Sequence, residues 1–344
     1  MNASPADTRS WLTARLRLLC AAETTSGRED AGLPELRRLL GELGATVVEQ
    51  TVAAGRTNVL ALWGRPRVLF STHLDTVPPY VPPRLDGDTL HGRGTCDAKG
   101  QIIAQLAAVK SLLDEGRSDL AWLGVVGEET DSAGAAAALG LADHFSNLKA
   151  LINGEPTELK LATGQRGVQH LCLHCQGRAA HSGSPEVGHN ATWPLLDWLQ
   201  RLRDQPRPVD PILGPELWNL GLLHAGEALN SVPASAEAQL MARVVPGSTL
   251  LEEVRRLAPA EGTVDLRLDE PADLYPIVPG FDHSPMPFGS DAPALRALVP
   301  DRTVVLAGPG SITVAHTLDE HLTLADLEAG VHLNRRLALH FLGD

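Results

Sequence analysis

The stretch VLFSTHLDTVP, residues 68–78, decides the fold of the first part of the chain. It begins with a short apolar run of β character and continues directly into His73 and Asp75. Side chains of an extended segment alternate between two faces, so these two residues point the same way. In open α/β sheets, binding and catalytic groups follow the carboxyl ends of the strands. The stretch therefore predicts a buried strand that delivers a polar pair to a site.

The surrounding sequence repeats this pattern of apolar runs and helical segments. Helices are predicted at residues 10–22, 30–43, 100–113 and 132–141, and strands at 57–63, 68–72, 120–126 and 150–153. Strands that alternate with helices are typical of a mostly parallel sheet covered by helices. The first part of the chain is thus predicted to be α/β.

The hydrophobic pattern of the sequence changes near Gly167. Two alternating strands at 168–175 and 236–245 flank a helical stretch at 191–203, which predicts a smaller α+β unit. A proline-rich segment at 276–287 precedes a last strand at 303–307 and a helix at 324–341. We therefore expect a discontinuous catalytic domain, 1–166 and 276–344, interrupted by a lid domain at 167–275.

Composition excludes several classes of protein. The 344 residues exceed the roughly 250 to 300 at which single cores stop growing. No apolar run approaches the ~18 residues of a membrane span, and the polar N-terminus has no apolar segment typical of a signal peptide, so a cytoplasmic protein is expected. The net charge of -13 disfavours partners such as nucleic acid or an anionic membrane.

Cys172 and Cys175 have the spacing of a redox or zinc motif, but no second pair exists in the sequence. Because they lie in a strand-like run, we interpret them as ordinary strand cysteines.

Further acidic and imidazole side chains follow the other predicted strands. Asp97 lies in GRGTCDAKG (92–100), Glu128 and Glu129 in GEET (127–130), Glu155 in NGEPT (153–157), and His316 after the last strand. The first of these loops lacks the third glycine of a dinucleotide motif, and Asp97 in that place would repel a pyrophosphate. Each loop alone is compatible with a solvated surface, but together they predict one site.

Carboxylates that converge in one cleft disfavour one another's ionisation, so the predicted site requires cations. The acids are Asp75, Asp97, Glu128, Glu129 and Glu155. Imidazole and carboxylate donors without a thiolate pattern make two zinc ions the leading expectation, with cobalt or manganese as substitutes.

These motifs resemble a known family. HLDTVP (73–78), GRG with Asp97 and KG (92–100), GEE (127–129), GEPT (154–157) and His316 are similar, in order, to the motifs of the acetylornithine deacetylase, succinyl-diaminopimelate desuccinylase and carboxypeptidase family. The similarity spans nearly the whole chain and is closest to the acetylornithine deacetylase branch. It implies a phosphorylase/hydrolase-like catalytic domain with a ferredoxin-like lid.

The resemblance also implies a role for each residue. Asp97 would bridge two zinc ions, His73 and Glu155 would complete one site, and Glu129 and His316 the other. Asp75 would orient His73, and Glu128 would be the general base and acid. The peptide bond after Asp97 is expected to be cis.

In the lid, the resemblance assigns His181 of GRAAHS (177–182) to the oxyanion of the reaction, often from the partner subunit of a homodimer. Asn230 and Arg243 would hold the substrate carboxylate, and Ser290 and Asp291 would line the pocket. The short proline-rich stretch before Gly289 and the cysteine at position 96 depart from the family pattern. Cys96 would make the enzyme sensitive to thiol reagents.

The expected reaction is hydrolysis of an N-acyl amino acid, foremost deacetylation of N-acetylornithine in arginine biosynthesis. Acetylcitrulline, acetyl-lysine and succinylated amino acids stay open as substrates, and so does a carboxypeptidase or dipeptidase activity. A catalytically inactive binding protein is the alternative from a different class, and the complete ligand set and the intact Glu128 argue against it.

Overall fold

The structure is a computed structural model that describes residues 5–299 and 303–343. In the described chain the helices are α1 (Pro5–Cys20), α2 (Leu33–Glu42), α3 (Lys99–Asp114), α4 (Ala133–Ala138), α5 (Thr192–Arg203), α6 (Leu250–Leu257), α7 (Ala292–Leu295) and α8 (Leu324–Leu342). Short 3-10 turns cover Glu29–Gly32, Leu139–His144, Pro185–Val187 and Arg296–Leu298.

The strands alternate with these helices along the first part of the chain. They are β1 (Thr46–Ala53), β2 (Arg56–Gly64), β3 (Val68–His73), β4 (Arg84–Asp86), β5 (Thr89–His91), β6 (Asp119–Val125), β7 (Ala150–Asn153), β8 (Leu161–Gln165) and β9 (Gly167–Gln176). The second half contains β10 (Val209–Asp210), β11 (Gly214–Pro215), β12 (Leu217–Ala225), β13 (Ser235–Val244), β14 (Gly262–Glu270), β15 (Asp273–Leu274), β16 (His283–Met286), β17 (Val304–Leu306) and β18 (His321–Thr323).

The chain divides into two compact units. The first comprises Met1–Thr163, Tyr275–Ser284 and Ser290–Asp344, and the second comprises Gly164–Leu274 and Pro285–Gly289. The chain passes between them at four places, 163/164, 274/275, 284/285 and 289/290, of which the first lies within β8 and the third within β16.

The first unit is built on a sheet with the order β1-β2-β6-β3-β7-β17. Strands β6, β3, β7 and β17 are parallel, whereas β1 and β2 are antiparallel additions at one edge. Every residue of β3 is buried, as expected for a parallel strand covered on both faces. The predicted α/β class with a large, mostly parallel sheet is therefore confirmed.

Helices complete the core of the first unit. Helix α3 packs against α1 and α8, and α8 also contacts β3 and β7. A second small sheet, β18-β5-β4, joins a segment near the C-terminus to residues 84–91. None of the helices in the described ranges combines the length and the apolar character needed to cross a membrane.

The second unit has an antiparallel sheet with the order β12-β13-β9-β14. Helix α5 packs on β9 and β13, and α6 packs on α5 and β14. Leu171, Leu173, Trp198 and Leu240 are buried in its separate core. This unit is therefore α+β.

Candidate metal centre

The parallel strands of the first unit bring the predicted loops to one edge of the sheet. In the register, His73 at the end of β3 lies opposite Val125 of β6, and Leu306 of β17 lies opposite Asn153 of β7. The loops that follow these strands carry Asp75, Glu128, Glu129, Glu155 and His316. Sequence segments that are far apart thus converge because parallel strands end on the same side.

Asp97 is the centre of this cluster. One of its carboxylate oxygens, Oδ1, lies 2.9 Å from Nε2 of His73, and the other, Oδ2, lies 3.3 Å from Nε2 of His316. The same nitrogen of His316 is 3.1 Å from Oε1 of Glu129. Donor atoms of His73, Asp97 and Glu129 all lie within 4.8 Å of one another. The two oxygens of Asp97 therefore face two different imidazoles, and Glu129 joins the second.

Backbone geometry supports this arrangement at two positions. The peptide bond between Asp97 and Ala98 is cis, so the expected cis bond is confirmed. His316 has a φ of +63°, in the left-handed region that residues other than glycine rarely adopt. A non-glycine residue such as His316 keeps this backbone conformation where the surrounding structure imposes it, and such residues are enriched at functional sites.

Asp75 holds the loop that carries the two glutamates. Its buried carboxylate accepts hydrogen bonds from the backbone N–H groups of Gly127, Glu128 and Glu129 at 3.0 to 3.2 Å, and from Oγ of Ser26 at 2.7 Å. It also lies 3.4 Å from Nδ1 of His73. One carboxylate therefore connects the end of β3 with the Glu128–Glu129 turn.

The orientation of His73 follows from two contacts. Its Nδ1 lies 3.0 Å from the backbone carbonyl oxygen of Asp75. When this nitrogen carries the proton and donates it to the carbonyl oxygen, Nε2 has a free lone pair directed towards Asp97. That tautomer is the one a metal ligand needs.

The electrostatics of the cluster reflect its concentration of acids. Although part of Glu128 reaches solvent, desolvation by the surrounding protein raises the pKa of its carboxyl group well above the ordinary value, and the charges of Glu155, Asp291 and Glu129 act in the same direction. Desolvation likewise raises the pKa of the buried Glu155, with contributions from Asp97 and Glu129. For both glutamates, the charge of His73 opposes the rise in pKa but does not cancel it.

The imidazoles are the cations that face these acids. Hydrogen bonds to Asp97 and Glu129 raise the pKa of His316 to about 10. Burial opposes the charged form of His73, but Asp75 and Asp97 raise its pKa well above the ordinary value. Burial also opposes ionisation of Asp97, yet its pKa is lowered because both imidazoles contact it.

This donor set fits divalent cations. The nitrogen and oxygen donors lie close together, and several of the carboxylates are buried. These carboxylates raise the pKa values of the imidazoles, so the cluster favours positive charge, as a cation site requires. His73, Asp97, Glu129 and His316 are joined by the distances given above. Glu155 is buried, and the charges of His73 and Asp97 act on its carboxyl group, so it lies near both residues.

Ser290 and Asp291 lie in the first unit, immediately before α7. Asp291 is buried, and its charge contributes to the raised pKa of Glu128, so it lies near the cluster. Ser290 Oγ accepts a hydrogen bond from the backbone N–H of Ala292.

The predicted lid residues occupy two places in the second unit. His181 forms an isolated bridge with Ser231, and the backbone N–H of Ser182 donates to the carbonyl oxygen of Asn230 at 2.9 Å. Arg243 lies near the far end of β13, whose first residue, Ser235, follows this loop. Eight residues of strand correspond to about 26 Å. Within one unit, Arg243 is therefore distant from His181 and Asn230.

A supporting residue that the sequence did not reveal is Glu320. Its Oε1 accepts hydrogen bonds from the backbone N–H groups of Gly94, Cys96 and Asp97 at 2.9 to 3.1 Å, and its Oε2 lies 2.6 Å from Nη1 of the buried Arg93. Burial raises the pKa of Glu320, whereas these partners oppose the shift. Glu320 thus fixes the loop that presents Asp97. No periodicity marks it in the sequence, although it lies four residues after His316.

Gln101 and Arg56 support the same edge of the sheet. Nε2 of Gln101 donates to the carbonyl oxygens of Cys96 and Pro309, which ties the Asp97 loop to the loop before His316. Arg56 donates to both carboxylate oxygens of Asp131, next to the Glu128–Glu129 turn.

The predicted reactivity of Cys96 finds no support in the structure. The thiol is buried, and desolvation raises its pKa well above the ordinary value. Because the thiolate is the reactive form, Cys96 is expected to be inert.

Comparisons with known proteins agree on one family. The sequence profile of peptidase family M20/M25/M40 matches residues 69–340. A Peptidase M20 domain-containing protein of Schizosaccharomyces pombe is 34% identical over 343 residues, covering 94% of this chain and 83% of the relative. A probable carboxypeptidase of Aspergillus clavatus is 36% identical over 324 residues, covering 83% of this chain and 78% of the relative.

Among solved structures, a tripeptidase from Staphylococcus aureus is similar with a TM-score of 0.81 and 18% identity, covering 96% of this chain and 98% of that one. At this identity the similarity shows a shared fold.

Proposed function

The chain belongs to peptidase family M20/M25/M40, and we propose from this membership that it hydrolyses the amide bond of a small substrate with a free carboxylate. The observation that carries the proposal is the position of Asp97, whose two oxygens face His73 on one side and His316 with Glu129 on the other. A carboxylate in this position is suited to bridge two cations.

We assign one cation to Asp97, His73 and Glu155, and the other to Asp97, Glu129 and His316. Zinc is the proposed ion, because imidazole and carboxylate donors suit it, and cobalt or manganese are the substitutes to test. When bound, such ions polarise a carbonyl group and acidify water.

Glu128 is the proposed proton carrier. It adjoins Glu129, and Asp75 fixes the backbone N–H groups of both residues. A carboxyl group at this position can take up a proton and then return it. In the proposed reaction, Glu128 takes a proton from the attacking water and delivers it to the leaving nitrogen.

The lid residues keep the roles that the resemblance implies. His181 donates to the oxyanion as it forms. The guanidinium of Arg243 binds the substrate carboxylate, since its planar donors match that group, and Asn230 assists. Ser290 and Asp291 line the pocket.

A homodimer is proposed for a geometric reason. Arg243 is separated from His181 and Asn230 by most of β13, so one copy of the second unit does not bring them to a single small substrate. The edge strand β12 also exposes a row of leucines, among them Leu217, Leu222 and Leu223. An exposed apolar edge strand is a template for pairing with another chain. Sedimentation of the wild type and of Leu222→Lys tests this, and a monomeric wild type would contradict it.

Two substrate classes compete. The Aspergillus clavatus relative is named a probable carboxypeptidase, so short peptides with a free C-terminus are the first class to test. N-acetylornithine is the second, because the Gly308-Pro309-Gly310 approach to His316 resembles the acetylornithine deacetylase branch.

The four cysteines, all within the described chain, are free thiols, which favours the proposed cytoplasmic location.

The decisive experiment is a hydrolysis screen of the zinc-loaded protein. It compares di- and tripeptides with N-acetylated ornithine, citrulline, lysine, glutamate and methionine and with succinylated amino acids. Glu128→Gln is the control for contaminating activity. Peptide cleavage alone would assign a peptidase, and release of acetate or succinate alone would assign a deacylase. Bound metal without turnover of any substrate would instead favour the non-catalytic alternative.

A further inference from the structure

Two histidines and an aspartate meet on the outer face of the small β18-β5-β4 sheet, outside the centre described above. His321 of β18 lies directly opposite His91 of β5 in the antiparallel register, and Asp319 lies two residues before His321, the first residue of β18. The ring centroids of the histidines are 5.2 Å apart. One donor atom from each of the three residues lies within 4.8 Å of the others.

The distances among these donors suit a transition metal. Nδ1 of His91 is 3.2 Å from Oδ1 of Asp319. Two ligands of a tetrahedral zinc ion, at bond lengths near 2.0 to 2.2 Å, are separated by about 3.4 Å. A small movement of side chains would therefore place an ion between the imidazole and the carboxylate.

His321 is already oriented as a ligand. Its Nδ1 lies 2.6 Å from the backbone carbonyl oxygen of Asp319. A proton on this nitrogen, donated to the carbonyl, leaves the lone pair of Nε2 free for a cation. Metal-binding histidines commonly have such a partner on the nitrogen that does not bind the ion.

The surroundings leave access for the ion and for water. The side chains of His91 and His321 are 23% and 31% exposed, and that of Asp319 is 82% exposed. Arg84 is the neighbour of His91 on β4, and its guanidinium donates to Asp86. Solvent can therefore supply the remaining ligand.

We propose that His91, Asp319 and His321 form an additional site for a divalent ion of the zinc, nickel and copper class. Two imidazoles and one carboxylate favour this class over calcium and magnesium, which prefer all-oxygen sites. The site is separate from the proposed dinuclear centre and does not depend on the proposed function.

Occupation of this site would brace the strand that supports the dinuclear centre. Side chains alternate along β18, so His321 faces outwards while Glu320 and Leu322 are buried. Glu320 binds the backbone of the loop that presents Asp97. An ion held by the residues on either side of Glu320 would link β18 to β5.

Zinc stoichiometry tests the proposal. Wild type and His91→Asn/His321→Asn are dialysed against zinc at matched free concentrations and analysed for metal per chain. We expect the double variant to bind one ion fewer. The matched control is His332→Asn/His340→Asn, which removes two exposed histidines of α8 that lie about 12 Å apart along the helix and do not share an ion. The control should match the wild type.

Equal zinc content in the wild type and the His91→Asn/His321→Asn variant would overturn the proposal. Both proteins keep every proposed ligand of the dinuclear centre, so the difference in zinc content between them does not depend on how many ions that centre holds. If the proposed function failed, the expected difference of one ion would remain. A second measurement needs no variant: carbethoxylation of the wild-type protein with and without zinc, mapped by mass spectrometry. Zinc should protect His91 and His321 while His332 and His340 stay reactive. Unchanged modification of His91 and His321 would overturn the proposal even if the double variant failed to fold.

Discussion

Glu320→Gln should destabilise the first unit although it changes the side chain by one functional group. The carboxylate has two sets of donors: Arg93 on Oε2, and the backbone N–H groups of Gly94, Cys96 and Asp97 on Oε1. A glutamine has a single acceptor oxygen. If that oxygen stays with the three backbone amides, the side-chain NH₂ group faces Nη1 of Arg93, which is also a donor. If the oxygen instead faces Arg93, the NH₂ group faces the three backbone N–H groups.

The magnitude follows from burial. Arg93 and Glu320 are each 1% exposed, so the variant leaves a buried guanidinium without its counter-charge. Breaking a buried ion pair on one side typically costs about 3 to 5 kcal/mol, and we expect the lower end because one set of hydrogen bonds survives. The loop that presents Asp97 also loosens, so metal affinity should fall by about 10- to 100-fold.

Urea unfolding in the presence of a chelator measures the stability loss without a contribution from metal release. Glu328→Gln is the matched control: the side chains of Arg9 and Glu328 are 39% and 30% exposed, so a far smaller loss is expected. Combining Arg93→Met with Glu320→Gln should give a non-additive effect of about 0.5 to 3 kcal/mol, because the second change no longer strands a charge. A loss below about 1 kcal/mol for Glu320→Gln, or strict additivity, would refute this reasoning.

Three further changes test the centre itself. Glu128→Gln should keep its metals and lose turnover by about 10²- to 10⁴-fold, since an amide does not accept the proton, whereas Glu129→Gln should lose metal and turnover together. Metal analysis and rates measured in parallel check both, and near-normal turnover in the first with full metal content in the second would contradict the roles. Asp75→Asn should weaken metal binding by about 10- to 100-fold because the charge behind His73 is lost; competition with a chromophoric chelator measures this, and unchanged affinity would count against it. Gly127→Ala should cost about 1 to 3 kcal/mol in urea unfolding, because φ is +82° and the new methyl group would clash with the guanidinium of Arg56; wild-type stability would show that the turn adapts.

The parts of the fold that sequence predicts well are those with a strong periodic signal. Strand β7 has the predicted bounds, β3 and α8 each extend one residue past their predicted end, and α3 extends one residue at both ends. Strands β3 and β7 and most of α3 are buried, and α8 buries one face, so apolar spacing reports their position directly.

The elements that were not predicted lie mainly at sheet edges or are short. Strand β1 is an exposed edge strand with a weak apolar pattern, and β12 is largely exposed despite its leucines. Strand β14 could have been predicted from the sequence, because Val264, Leu266 and Leu268 alternate with polar residues. In such strands, cross-strand pairing determines the structure more than local preference does.

The same distinction separates the ligands of the centre from the residues that support them. His73, Glu129 and Glu155 follow strands that hydrophobic patterning reveals, so their convergence can be predicted from the rule that parallel strands end at one edge. Asp97 is different, because its position depends on Glu320, which lies 223 residues away in sequence. A buried acid that binds backbone amides leaves no periodic trace. Sequence patterns can therefore indicate which side chains reach a site, whereas the contacts that fix their orientation emerge only when distant segments pack together.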